Sequence, residues 1–320
     1  MTDPARATVE GSGGAAGFLR SVVRWLDSWA EDDRDQLRSS NEIDWLRVVP
    51  FVLIHLSCLL VLDVGWGSFA VTVAVLAYAV RMFAITAFYH RYFSHRSFRT
   101  SRAWQFVFAV AGATAVQRGP IWWASHHREH HRSSDTPDDV HSPVSQGFWW
   151  SHVGWILAHG NFRPRLELVK DLVRYPELRF LDRFDAVVPL LSLAGFYGLG
   201  ELAASLGVAT SGYQVVVWGF CVSTVVTYHV TFTINSLAHR VGTRDYETTD
   251  DSRNNFVLSL LTFGEGWHNN HHRYPGSVRQ GFRWWQLDLS YYALRVLEAL
   301  GVVWRLNPVP QHVLEQGRKR

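Results

Sequence analysis

Three short segments of this 320-residue chain place histidines at fixed intervals. They are His90-Arg-Tyr-Phe-Ser-His95, His127-Arg-Glu-His130-His131 (preceded by His126) and His268-Asn-Asn-His271-His272. A further histidine closes Asn235-Ser-Leu-Ala-His239. Side chains three and four apart share a helix face. His127, His130 and His131 can therefore aim at one point, and His268, His271 and His272 repeat that spacing. His90 and His95 are five apart, which suits a helix end rather than one regular face. Imidazole suits zinc, copper, iron and nickel. Nine imidazoles exceed one tetrahedral zinc, whereas two metals with four or five ligands each use the whole set.

A lone histidine is usually structural, and His55, His229 and His312 are read so. His152 and His159 are read as interface or substrate-side residues. Glu265-Gly-Trp-His268 has the Glu-x-x-His form of carboxylate-bridged di-iron bundles. It occurs once, without matching inward glutamates, so Glu265 is expected to hold a ligand imidazole from outside the coordination sphere. The two cysteines, Cys58 and Cys221, lie in apolar stretches, which excludes a disulfide framework and a cysteine zinc site. A formal charge of +3 gives no sign of a nucleic-acid partner.

The elements that must carry these boxes follow from the charges. Residues 48–80 and 184–239 contain no Lys or Arg. Val48–Tyr89 and Ala186–Ile234, which largely coincide with these regions, each hold two apolar runs of membrane-helix length, giving spans at about 48–62, 69–88, 186–206 and 213–234. Turns at 63–68 and 207–212 make two hairpins. The basic residues flank the spans, so both turns face outside, and both termini and the 90–183 loop are cytoplasmic. The first 12 residues show no cleavable signal. Ser21–Arg38 reads as an interfacial or solvated helix. Trp104–Gln117 is too short to span, Phe148–Ala158 suits the headgroup layer, and Ser252–Val303 is expected to fold as helices under the membrane. The expected fold is an all-α integral membrane protein: four transmembrane helices in two hairpins with a cytoplasmic helical cap carrying the histidine site. Its divisions are an N-terminal segment (1–46), the main domain (47–303) and a C-terminal tail (304–320).

The boxes, in this order and at these separations, resemble the integral-membrane fatty acyl desaturases, specifically the acyl-CoA delta-9 (stearoyl-CoA) branch. The likeness runs from about Thr86 to Tyr274. It includes Tyr89-His-Arg-Tyr-Phe-Ser-His-Arg-Ser-Phe98, Ser151-His-Val-Gly-Trp155, Asn235-Ser-Leu-Ala-His239 and Gly264-Glu-Gly-Trp-His-Asn-Asn-His-His272. The resemblance implies two iron ions held by His90, His95, His127, His130, His131, His239, His268, His271 and His272, with Asn235 holding a metal-bound water. It also implies a cell-membrane enzyme that uses O₂ to place a cis double bond, at the delta-9 position, in a long saturated acyl chain. A chain methylene has no acidic proton, so acid–base catalysis cannot remove its hydrogens, and a metal–oxygen oxidant must. Nothing in the chain reads as an iron–sulfur, flavin, nicotinamide or fused haem module. A separate electron donor (a reductase, ferredoxin or cytochrome) is therefore implied.

Two departures bear on the acyl carrier. Ser125-His126 and His159-Gly160 stand where animal members carry Arg-Asp and Arg-Lys pairs that help bind coenzyme A. The carrier is accordingly CoA or a membrane lipid. Arg118, Arg163 and Arg165 are alternative phosphate contacts, or meet lipid headgroups. The same metal site also serves a hydroxylase or monooxygenase acting on a lipid or alkane; a metal-free lipid-binding protein on this fold is a third reading. Counting back in fours from His90 gives Thr86, Met82 and Tyr78, an expected tunnel stripe with Tyr78 as its floor, about 18 Å from the metals.

Overall fold

The protein is described here from a computed structural model, over residues 22–30 and 41–318. Four helices are long and apolar enough to cross a membrane: Trp45–Val64, Ser68–Ser94, Val187–Ser205 and Gly212–Ser236. Each expected span is present. The first, which looked short, gains residues at both ends and reaches 20, the length a hydrocarbon core requires. Asp44 caps its start by accepting the Arg47 amide at 3.1 Å. Gly65, at φ +63°, turns the chain before the second span.

The second and fourth spans are the more buried pair, at 44% and 56% of their apolar windows against 17% for the first and third. The inner pair is also irregular. The second span turns into a π-helix over Ala84–Ser94, and the fourth contains one over Val216–Val222. A third π segment, Trp150–Gly154, lies in the Trp-rich stretch after the second box. Such segments are rare and gather at functional sites.

Shorter helices include Arg102–Ala113, the second-box helix Pro120–Ser133, the third-box helix His268–Arg273 and Leu289–Ala299. The all-α expectation needs one small amendment. Arg99–Thr100 pairs antiparallel with Val303–Trp304, stitching the segment after the first box to the end of the main domain. Residues 304–318 are not a loose tail. The helix Gln311–Arg318 packs Val313, 2% exposed, against Tyr246 and Phe282. Of the expected Ser21–Arg38 helix, residues 22–26 are helical and 31–38 lie outside the described residues.

The core beneath the second span is held by a buried charge. Arg91 pairs with Asp288 at 2.9 Å and Glu265 at 3.1 Å and donates to the Val278 carbonyl at 2.8 Å. All three side chains are buried. Removing one partner from such a set leaves the others uncompensated, at a cost of about 3–5 kcal/mol.

Candidate metal centre

The π-helix in the second span explains the first box. Its backbone bonds run from i to i+5, and the His95 amide donates to the His90 carbonyl at 3.2 Å. Residues five apart therefore stack, and His90 Nε2 lies 3.2 Å from His95 Nε2.

The nine imidazoles form two clusters, within each of which one ring nitrogen per residue lies within 4.8 Å of the others. His90, His95, His127, His131 and His271 form one, and His130, His239, His268 and His272 the other. Here the structure corrects the expectation that each box aims at a single point. Pairs four apart stay together (His127 with His131, His268 with His272). The residue three along is turned to the other cluster, so His130 and His271 cross over. Closest Nε2 contacts are 2.7 Å for His95–His127, 2.9 Å for His131–His271, and 3.0 Å for His90–His271 and for His239–His268. Metal–imidazole bonds of about 2.0–2.1 Å at right angles put two nitrogens about 3 Å apart. The Nε2 atom of His272 is buried without a hydrogen-bond partner. The donor set thus fits two first-row metal ions.

Carboxylates orient several of these rings. His130 Nδ1 donates to Asp139 at 2.9 Å, His239 Nδ1 to Asp135 at 2.8 Å and His272 Nδ1 to Asp250 at 2.6 Å. Glu265 holds His90 Nδ1 and receives Gln280 Nε2 at 2.8 Å. Each such bond leaves Nε2 as the free lone pair. Burial, reinforced by neighbouring imidazoles, keeps His95, His127, His131, His268 and His271 well below the usual histidine range. These imidazoles are neutral at physiological pH. Burial also lowers His272, to about 4, against the pull of Asp250. Burial opposes ionisation of Asp139, yet His130 and His141 hold its carboxyl well below the usual range; hydrogen bonding from His239 brings Asp135 to about 2. Asp135, Asp139, Asp250 and Gln280 were missed from sequence, since single polar residues in loops carry no periodic signal.

An apolar cavity of about 620 Å³ reaches the five-histidine cluster at His127. His127, Trp123 and Asn235 line its inner end, and Trp123 stacks on His127 with ring centroids 5.0 Å apart. Its walls come from the first, third and fourth spans, including Phe51, Ile54, Leu190, Tyr228 and Phe232.

The model of the fatty acid desaturase family matches residues 65–305. The chain belongs to this family. Similar proteins include an acyl-CoA 5-desaturase of Anemone leveillei, 36% identical over 88% of this chain and 81% of its own. The delta-9 acyl-lipid desaturase 1 of Arabidopsis thaliana is 38% identical, over 83% and 84%. An sn-1 stearoyl-lipid 9-desaturase of Anabaena variabilis is 36% identical, over 82% and 93%.

One further expectation for this desaturase is corrected by the geometry. Tyr78, Met82 and Thr86 do not line the cavity. Tyr78 donates to the Leu261 carbonyl at 2.6 Å and meets Phe263 edge-on, while Thr86 hydrogen-bonds Ser290 at 2.6 Å. Counting in fours assumed an α period, whereas the π turns from Ala84 onward shift the face that carries His90. Arg163 and Arg165 have partners within the protein, whereas Arg118 lines the cavity. Arg118 pairs with Asp185 at 3.3 Å, Arg163 donates to the Trp29 carbonyl and Arg165 pairs with Glu129 at 3.1 Å. Two other histidines have polar partners outside the clusters. His152 bonds Ser236 and, through His229, links to His55, a chain that enters neither cluster. His159 faces Asp44 at 3.3 Å.

Proposed function

We propose that the nine histidines hold two iron ions and that the protein is an O₂-dependent desaturase. It places a cis double bond, at the delta-9 position, in a long saturated acyl chain carried by CoA or a membrane lipid. Two irons held by these histidines and reduced by an external donor would supply the O₂ chemistry needed to remove two neighbouring hydrogens. The chain's own residues position the reaction. Asp135, Asp139, Asp250 and Glu265 fix the orientation of four imidazoles. Asn235, which lines the cavity, would hold a metal-bound water, and the apolar walls would keep bulk water from the reacting methylenes. One observation carries the reading: a five- and a four-imidazole cluster stand side by side, and an apolar cavity lined by residues of three membrane spans reaches the first of them at His127.

Expression in a host that lacks unsaturated fatty acids, followed by lipid analysis, tests the reaction. A new double bond nine carbons from the carboxyl end is expected, and the lipid or thioester that first carries it identifies the carrier. A hydroxylated chain would replace desaturation with monooxygenation. The same reading puts both termini and the histidine layer on the cytoplasmic side of the cell membrane. Cysteines at the exposed Trp66 and Leu206 should then be labelled from outside. Labelling of either from the cytoplasm alone would overturn the topology.

A further inference from the structure

Arg81 is the only Lys or Arg between residues 48 and 89. It is 2% exposed, within the second span. A cation at this position is costly, and such residues mark functional sites. Its Nη1 reaches Ser223 and donates to Thr224 Oγ1 at 2.8 Å, both on the fourth span. It also lies 3.4 Å from the Phe220 carbonyl and 3.5 Å from that of Gly219. Those carbonyls belong to the π segment Val216–Val222, whose backbone leaves the α ladder. In hydrocarbon, displaced backbone groups must be met from within the protein. The guanidinium stands 5.4 Å from the ring centroids of both Phe220 and Phe196. Gly219 allows the close approach, since a Cβ there would lie 2.9 Å from Val73 and Phe196 side-chain atoms. Phe220 is therefore clamped from behind by the second and third spans.

In front of it lies the cavity. The lining follows the fourth span from Asn235 through Thr231 and Tyr228 and stops at Phe220 and Cys221. That is roughly 20 Å at 1.5 Å per residue. The geometry points to Phe220 and Cys221, braced by Arg81, as the floor that sets how long an acyl tail the site admits. This rests on the acyl-chain reading above. Arg81 is a positioning residue, acting through the π turn rather than on substrate.

Two measurements test the floor. The first supplies palmitate, stearate and arachidate together and reads product ratios. Phe220→Ala should raise the arachidate-to-stearate product ratio about tenfold, the effect of pocket space matched to methylene groups, with the bond position from the carboxyl end unchanged. Cys221→Phe should shift the profile towards palmitate. Arg81→Met should broaden the profile, and Arg81→Lys, which still donates to Ser223 and Thr224, should restore it. The second needs no turnover. In a Cys58→Ser background, N-ethylmaleimide labelling of Cys221 should be slowed by stearoyl chains and not by decanoyl chains, each offered as CoA thioester and as phosphatidylcholine. Unchanged ratios in Phe220→Ala and Cys221→Phe, or equal protection by both chain lengths, would overturn the floor. A wild-type protein that modifies no acyl chain while stearoyl chains still protect Cys221 would overturn the reaction and leave the floor standing.

Discussion

Behind the four-histidine cluster stand three aspartates, one each on His130, His239 and His272. Behind the five-histidine cluster the only carboxylate hydrogen-bonded to a ring, among the described residues, is Glu265 on His90. The five-histidine cluster is braced differently. Arg96 follows His95 and Arg128 follows His127, and both arginines converge on Asp171, at 2.8 and 2.7 Å. Arg128 also donates to the Phe93 and Ser94 carbonyls at the end of the second span. One cluster thus has negative charge one hydrogen bond away from its rings, and the other has its backbone held in place by an ion-paired strut. A carboxylate on Nδ1 makes an imidazole a stronger donor. The smaller cluster is the one with more of this support. The cavity meets the cluster that has five rings and fewer carboxylates.

The largest effect should come from removing a ligand. His131→Ala and His272→Ala are each expected to abolish double-bond formation, and metal analysis should show loss chiefly from the altered cluster. Simultaneous loss of both metals from either variant would show that the clusters are one unit and end the comparison.

Next come the carboxylates. Asp139→Asn and Asp250→Asn should each weaken metal retention about 10–100-fold at the four-histidine cluster, read by graded chelation. Glu265→Gln should act at the five-histidine cluster instead. Equal losses at both clusters in all three variants would remove the electrostatic distinction.

A smaller effect is expected at the strut. Burial works against the Asp171 carboxylate, but hydrogen bonds from Arg128 and Arg96 bring its pKa to about 2, below the unfolded value of about 3.9. Its contribution to stability is therefore present above about pH 4 and lost as pH falls through about 2. Asp171→Asn should melt earlier than wild type at neutral pH, and the gap should close between about pH 4 and 2. A gap that persisted at pH 2 would show that the carboxylate charge is not what braces the loop.

The smallest effect is expected at Tyr78, which touches neither cluster nor cavity. Tyr78→Phe should leave the product chain lengths unchanged and cost about 0.6 kcal/mol for one lost hydrogen bond within a membrane protein, measured by thermal unfolding in detergent. A shifted chain-length profile would return Tyr78 to the tunnel.

Long apolar runs nearly free of Lys and Arg located all four spans, because water-free surroundings select composition over a whole helix length. The nine converging histidines were equally legible, since their residue type and spacing persist in any helix. Their division into five and four was not. Spacing says which side chains share a face, not where the helices carrying those faces meet, and the second and third boxes each straddle two meeting points. The π turns were also hidden. Runs such as Ala84–Ser94 and Val216–Val222 have an ordinary composition, and a change from i+4 to i+5 bonding is decided by packing between spans. That change misdirected the count from His90 to Tyr78, and it now presents Phe220 to the cavity and its carbonyl to Arg81. Sequence alone determined a four-span protein with a histidine-rich site suited to two metals. Tertiary structure decided which histidines face each other, which loop carboxylates stand behind them and where the cavity ends, because each depends on contacts between residues tens to hundreds of positions apart along the chain.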